Sequence, residues 1–126
     1  MSNPTYRQGP IGFEIAKDLD QFHLVAVNAD GKITYADSEG PVFGAITENG
    51  RLDHTAASNL PVHYGVAAVY LSTEADVEIK ANEAVYAGDN GKAAATGTVQ
   101  VGVAAENSTG TRVLTVLNGL PYAATV

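Results

Sequence analysis

The chain has 126 residues with no cysteine and no tryptophan, and its 14 acidic and 7 basic side chains give a net charge of −7. That length suits one domain with a real core, and the lack of cysteine excludes disulfides and thiolate metal sites. The bases are scattered singly, which argues against a nucleic-acid partner, because phosphate binding needs clustered Lys and Arg.

Residues 1–12 read as an extended arm, broken by Pro4, Gly9, Pro10 and Gly12. The arm is either a loose terminus or a segment that orders on a partner. It has no basic region followed by an apolar run, so it is not read as a secretion signal. Apolar runs elsewhere fall short of the ~20 residues a spanning helix needs. The expectation is a soluble chain made in the cytoplasm, with no membrane partner.

Alternation then predicts short strands. Phe13–Ile15 comes first, and Phe22–Val27 follows with Phe22, Leu24 and Ala26 on one face. Asp30-Gly31-Lys32 is a hairpin signal, because Gly supplies the positive φ of tight turns. Ile33–Tyr35 returns, and Val42–Thr47 is the next strand. Residues 51–61 break the rhythm: either Asp53 caps a helical turn that Pro61 stops, or the segment is a surface loop. Val62–Leu71 reads as one buried strand, with a bulge or a close backbone approach at Gly65. Val77–Lys80 alternates with Val77 and Ile79 inward, and Ala84–Ala87 leads to Asn90-Gly91-Lys92. A strand opening at Val99 turns Val99, Val101 and Val103 inward. Thr111–Leu117 is the last strand, and residues 120–126 form an apolar tail.

Turn signals about every ten residues predict an all-β fold, a small antiparallel β-barrel or sandwich over residues 13–119 with little helix. The pattern also repeats. Gly31-Lys32 and Gly91-Lys92 lie 60 apart, while Gly44 and Gly102 lie 58 apart, as do Glu48-Asn49 and Glu106-Asn107. Two copies of one hairpin pattern suit a pseudo-duplicated domain better than a solenoid.

Chemistry is harder to find. His23, His54 and His63 have no metal-site spacing. Asp53, His54 and Ser58 have the letters of a hydrolase triad without the nucleophile-elbow glycines. Asp89-Asn90-Gly91 lacks the remaining ligands of a calcium loop, since Gly97 stands where Glu is needed. The reading is no enzyme, no cofactor and no metal.

Several segments carry a family resemblance: Ala16–Leu19, Val25–Ile33, Val42–Asn49, Val77–Tyr86, Asp89–Lys92, Val101–Ala104 and Gly110–Leu117. Together they resemble the head decoration, or capsid cement, proteins of tailed bacteriophages. Asn82-Glu83 departs from that pattern, in which Gly-Asp precedes the Val-Tyr pair; Asn also tolerates positive φ. The resemblance implies a structural virion protein on the outer capsid surface, a homotrimer clamping neighbouring major capsid protein subunits. Position and apolarity then single out Tyr6, Arg7 and Ile11 in the arm, and Leu120, Pro121 and Tyr122 in the tail, as shell or trimer contacts. The alternative is another β-rich virion part: a tail-tube, head-fibre base or adaptor domain. A third reading, a carbohydrate-binding or enzymatic β domain, calls for an exposed aromatic platform or a perturbed acid, and a sequence without Trp shows neither.

Overall fold

The computed structural model describes residues 10–123. Each half of that span forms one antiparallel five-stranded sheet. The first half contributes β1 (Ile11–Glu14), β2 (His23–Val27), β3 (Ile33–Tyr35), β4 (Gly44–Ile46) and β5 (Asn59–His63). The second contributes β6 (Ala68–Ser72), β7 (Ala84–Ala87), β8 (Ala93–Ala94), β9 (Gln100–Ala104) and β10 (Arg112–Leu117). A 3-10 turn, Asp89–Gly91, precedes β8. The fold is all-β, as the alternation predicts.

The strand orders are β1-β5-β4-β2-β3 and β6-β10-β9-β7-β8. Counted from its own first strand, the second order is identical to the first, so the repeat in the sequence is a repeat of topology. Register agrees: Val25 pairs with Gly44 where Val85 pairs with Gly102. Both sheets curl until their edges meet at a parallel bridge, Ile15 to Ile33 in one and Thr73 to Ala93 in the other. A buried aliphatic residue sits beside each closure. Leu19 exchanges backbone hydrogen bonds of 3.0 and 2.8 Å with Gly50. Ile79 is held in the same way by Ser108, whose N donates to the Ile79 carbonyl at 2.7 Å and whose hydroxyl accepts from Ile79 N at 3.0 Å.

The repeated glycines are required by close packing. A Cβ on Gly44 would run into the His63 carbonyl, and one on Gly102 into that of Val116. Backbones that approach this closely admit only hydrogen at the α position.

Several sequence expectations change. The apolar run 62–71 is two strands, because Gly65 at φ +72 carries the chain from the first sheet to the second. Pro61 stops no helix. It lies within β5, and the β4–β5 ladder ends at Ile46↔Val62, one residue short of it, so its missing N–H interrupts no bond there. Arg51–Ser58 is a loop in which the Asp53 carboxylate accepts from Thr55 N (3.0 Å) and Thr55 Oγ1 (2.7 Å). Val77–Lys80 joins no ladder, although Ile79 is buried and Val77 packs on the core. Val103 is exposed rather than inward. Tyr86 pairs with Gln100 and Val85 with Gly102, leaving Val101 as an extra residue. Such a bulge puts two successive side chains on one face, so Val101 and Gly102 are both buried and Val103 turns outward. Phe22 lies outside β2 at φ +65, off the face of Leu24 and Ala26. β1 begins at Ile11, two residues before the expected strand.

The cores differ. Leu19, Val25, Ile33, Ile46, Leu60 and Val62 fill the first sheet beneath Phe13, Tyr35 and Phe43. The second sheet encloses smaller residues, and its core runs on into Leu24, Ala26 and Ala45 of the first.

Candidate functional site

No three His, Asp or Glu side chains come together among the described residues, and no helix there is long and apolar enough to cross a membrane. What remains are surfaces at the two ends of β10 and a polar seam.

The first surface gathers both ends of the described chain. Ile11 pairs with Val62, which places the start of β1 where Tyr64 and Gly65 leave β5. Gly65 N donates to the Leu120 carbonyl at 3.2 Å, so the tail arrives at the same place. Tyr122 is stitched to Val42 by reciprocal backbone bonds of 3.0 and 2.7 Å. Its ring lies over Gly40, where an added Cβ would meet it at 3.0 Å. Between tail and body runs an apolar groove of about 250 Å³ lined by Val27, Pro41, Phe43, Pro121 and Tyr122. Beside it Phe13, Phe43 and Tyr64 form a ring-to-ring series with centroids 5.2 and 5.8 Å apart. Val66, 79% exposed, projects from the adjoining turn.

Of the six contacts expected from sequence, four can be placed. Ile11 is half-buried in β1, Pro121 is exposed and Tyr122 half-buried, while Leu120 is only 5% exposed and belongs to the core. Tyr6 and Arg7 lie outside the described residues. The fold brings Ile11, Pro121 and Tyr122 to one end of the molecule and adds Phe43, Tyr64 and Val66, which alternation alone assigned to strands.

The second surface lies at the other end of β10. Arg112 lays its guanidinium 4.5 Å from the Phe22 ring centroid and 5.5 Å from that of Tyr70. The rings stand edge to face at 6.1 Å. Phe22 is held at positive φ, which is unusual for a bulky residue, by Phe22 N donating to Ile46 O at 2.8 Å and Ser72 N donating to Phe22 O at 2.7 Å. Arg112 makes no ion pair among the described residues. It borders an open cleft of about 410 Å³ with Tyr70, Glu106, Asn107, Thr109 and Thr111. Sequence reading missed this group because β6–β10 pairing is what joins residues 42 positions apart.

In the seam, Asp20, His23, Thr73, Glu74 and Lys92 line a third hollow. His23 Nδ1 donates to the carbonyls of Gln21 (2.8 Å) and Asp20 (3.0 Å), which fixes its tautomer. Lys92 pairs with Glu74 at 3.2 Å. Thr73 Oγ1 is buried with no partner among the described residues. Nearby, burial pushes the Tyr35 phenol above its ordinary pKa. At the surface, hydrogen bonds from Thr55 hold the Asp53 carboxyl below its own. His54 and Ser58 share that loop with Asp53, whose carboxylate is taken by Thr55 rather than by a histidine.

No family model and no curated protein sequence matches the chain. Among solved structures it is similar to the crystal structure of the N base of head fiber gp8.5 in bacteriophage phi29. The TM-score is 0.66 at 17% sequence identity, over 89% of this chain and 95% of that one. At that identity the likeness is one of fold.

Proposed function

We propose that this chain is a structural component of a tailed-phage head, seated on the outside of the assembled shell. The observation that carries the reading is the fold shared with a head-fibre base over 95% of that base. The family resemblance in the sequence points to the same class of protein. In this reading the end that gathers Ile11, Phe43, Tyr64, Val66, Pro121 and Tyr122 faces the major capsid protein, because it offers the apolar area that stable interfaces need. Tyr6 and Arg7 add contacts from the arm, and Leu120 acts indirectly by anchoring the tail.

The physical action is mass action. A protein that binds only the assembled shell stabilises that state by its binding free energy. Trimerisation at threefold positions would add avidity. The test is co-sedimentation of the purified chain with expanded shells of its own virus that lack it. Binding is expected with the full chain and a loss with a chain lacking residues 1–9, a truncation that leaves β1 whole. Failure of the full chain to sediment with the shells would overturn the proposal.

The neighbour's description as a fibre base favours a second reading within the same class, in which the chain is a seat for a fibre rather than a clamp between subunits. A clamp spans two neighbouring subunits and so binds assembled shells but not isolated capsid subunits, whereas a seat confined to one subunit binds both. Binding measured to shells and to isolated capsid subunits separates the two.

A further inference from the structure

The cleft at the Arg112 end of β10 is built in ways that the shell-facing reading does not use. Its floor is fixed. Phe22 is clamped at positive φ by two backbone hydrogen bonds and carries the Arg112 guanidinium on its face. A planar guanidinium stacked in this way keeps its in-plane N–H groups for an outside acceptor. Tyr70, 40% exposed, supplies an aromatic face. Asn107 Oδ1 accepts from Ala81 N at 2.9 Å, which leaves the Asn107 NH₂ to donate. Glu106, Thr109 and Thr111 add a carboxylate acceptor and two hydroxyls to the same rim.

We infer that this cleft binds a neutral saccharide. The volume of about 410 Å³ is within the range of small-ligand sites. Donor and acceptor are both charged and stand in one cleft, and the several hydroxyls of a saccharide can satisfy both, one accepting from Arg112 and another donating to Glu106. The C–H face of a sugar ring matches Tyr70. An acidic sugar or acidic peptide would satisfy Arg112 alone and would meet Glu106 and the net charge of −7. An apolar protein anchor would match only Tyr70 and Leu114 and would cover five polar side chains, Glu106, Asn107, Thr109, Thr111 and Arg112, without giving them partners. Arg112 and Leu117 stand at opposite ends of β10, so the cleft is remote from the tail and its groove. If the groove end faces the shell, the cleft looks outward, toward glycans on the surface a virion meets. That orientation rests on the proposed function; the binding does not.

The test is an amide chemical-shift titration of the full chain in solution, which needs no shells and so succeeds or fails independently of the capsid reading. The probes are tetrasaccharides of glucose, galactose, mannose and N-acetylglucosamine, with oligogalacturonate and an oligoglutamate peptide as charged competitors. The expected result is saturable shifts confined to residues 68–72 and 105–114 with at least one neutral probe, at a Kd on the order of 1 mM. Tyr70→Ala should weaken binding about tenfold. Glu106→Gln should do so too without moving the thermal midpoint, since Glu106 is an exposed side chain. Silence across the neutral panel, shifts confined to another surface, or tighter binding of either acidic probe would overturn the inference.

Discussion

Ile15 and Thr73 occupy equivalent positions in the two halves of the molecule, each bridging to the strand that closes its own sheet. The first is an aliphatic side chain in an aliphatic core. The second is a buried hydroxyl with no partner, next to the polar seam. Gly31 and Gly91 show a similar divergence. Both have positive φ, but a Cβ on Gly31 would meet nothing, whereas one on Gly91 would strike the Leu24 carbonyl of the other half. The two halves therefore share a topology and differ in their surroundings. The first half has large aliphatics under an aromatic rim and encloses its own core. The second has Ala87, Ala93 and Ala104 and completes its core with the outer face of the first. A shared topology alone would give two equal units; packing one against the other makes one of them dependent.

The strongest way to break this comparison is at the paired glycines. Gly44→Ala and Gly102→Ala should each cost about 3 kcal/mol or more, a fall in Tm of roughly 10 °C, because neither neighbouring carbonyl can retreat without breaking its ladder. Urea denaturation of both variants measures it. Similar losses support equivalence; tolerance of either alanine would show that its sheet has room that the repeat does not require.

The buried aliphatics come next. Leu19→Ala and Ile79→Ala remove fully or almost fully buried side chains, and each should cost about 2–5 kcal/mol. The contrast lies in what else moves. Leu19 belongs to the core that the first half encloses alone, so the loss of amide protection should stay in β1–β5. Ile79 shares its core with Leu24 and Ala26, so protection should fall in β2 as well as in the second sheet. Hydrogen exchange reads this, and equal spreading from both variants would sink the idea of an unequal partnership.

Much of this architecture was legible from residue spacing. The Gly-Lys turns and the Gly44/Gly102 pair are local requirements of backbone geometry, so they survive as letters in the sequence. Strand alternation was legible wherever one face is wet, as in Arg112–Leu117. It failed where a phase change depends on a partner strand. The bulge that turns Val103 outward is set by pairing with Tyr86, and nothing in residues 99–103 announces it. Leu120 looked like an exposed tail residue because its burial depends on a hydrogen bond to Gly65, 55 positions away. The surfaces fared as their parts did. The terminal groove was half visible through Pro121 and Tyr122, and the Arg112 cleft not at all, because Phe22, Tyr70 and Arg112 meet only in three dimensions.

A smaller effect with the opposite sign is expected at Thr73. Thr73→Val keeps the shape and removes the unpartnered hydroxyl, bringing the position closer to its counterpart Ile15. A buried polar group without a partner is destabilising, so the variant should gain about 1 kcal/mol, read as a higher urea midpoint at an unchanged slope. A loss instead would mean that the hydroxyl has a partner in solution, such as a water entering from the seam, and that the second half uses its polar residue.

The smallest effect is confined to alkaline pH and concerns Tyr35. Its oxygen accepts a hydrogen bond from Asp20 N at 2.8 Å, and burial raises its folded pKa above the ordinary value of 10.0. A raised folded pKa means that the folded state holds its proton while the unfolded chain gives it up. The stabilising difference is therefore complete below the unfolded pKa and is lost as pH rises through the folded one. Tyr35→Phe removes that ionisation along with the hydrogen bond. It should be less stable than the parent near neutrality, where the bond to Asp20 N is worth about 1 kcal/mol, and the gap should narrow above pH ~10. The second half has alanines in the matching region, Ala93 to Ala95, so Tyr86→Phe, for which no bond corresponding to Asp20–Tyr35 exists among the described residues, is the control from the other sheet. A gap that stays constant across the pH range would show that the Tyr35 hydroxyl titrates alike in folded and unfolded chains. The aromatic rim of the first half would then be open enough to admit water, and the contrast between an enclosed first core and a shared second one would lose its electrostatic support.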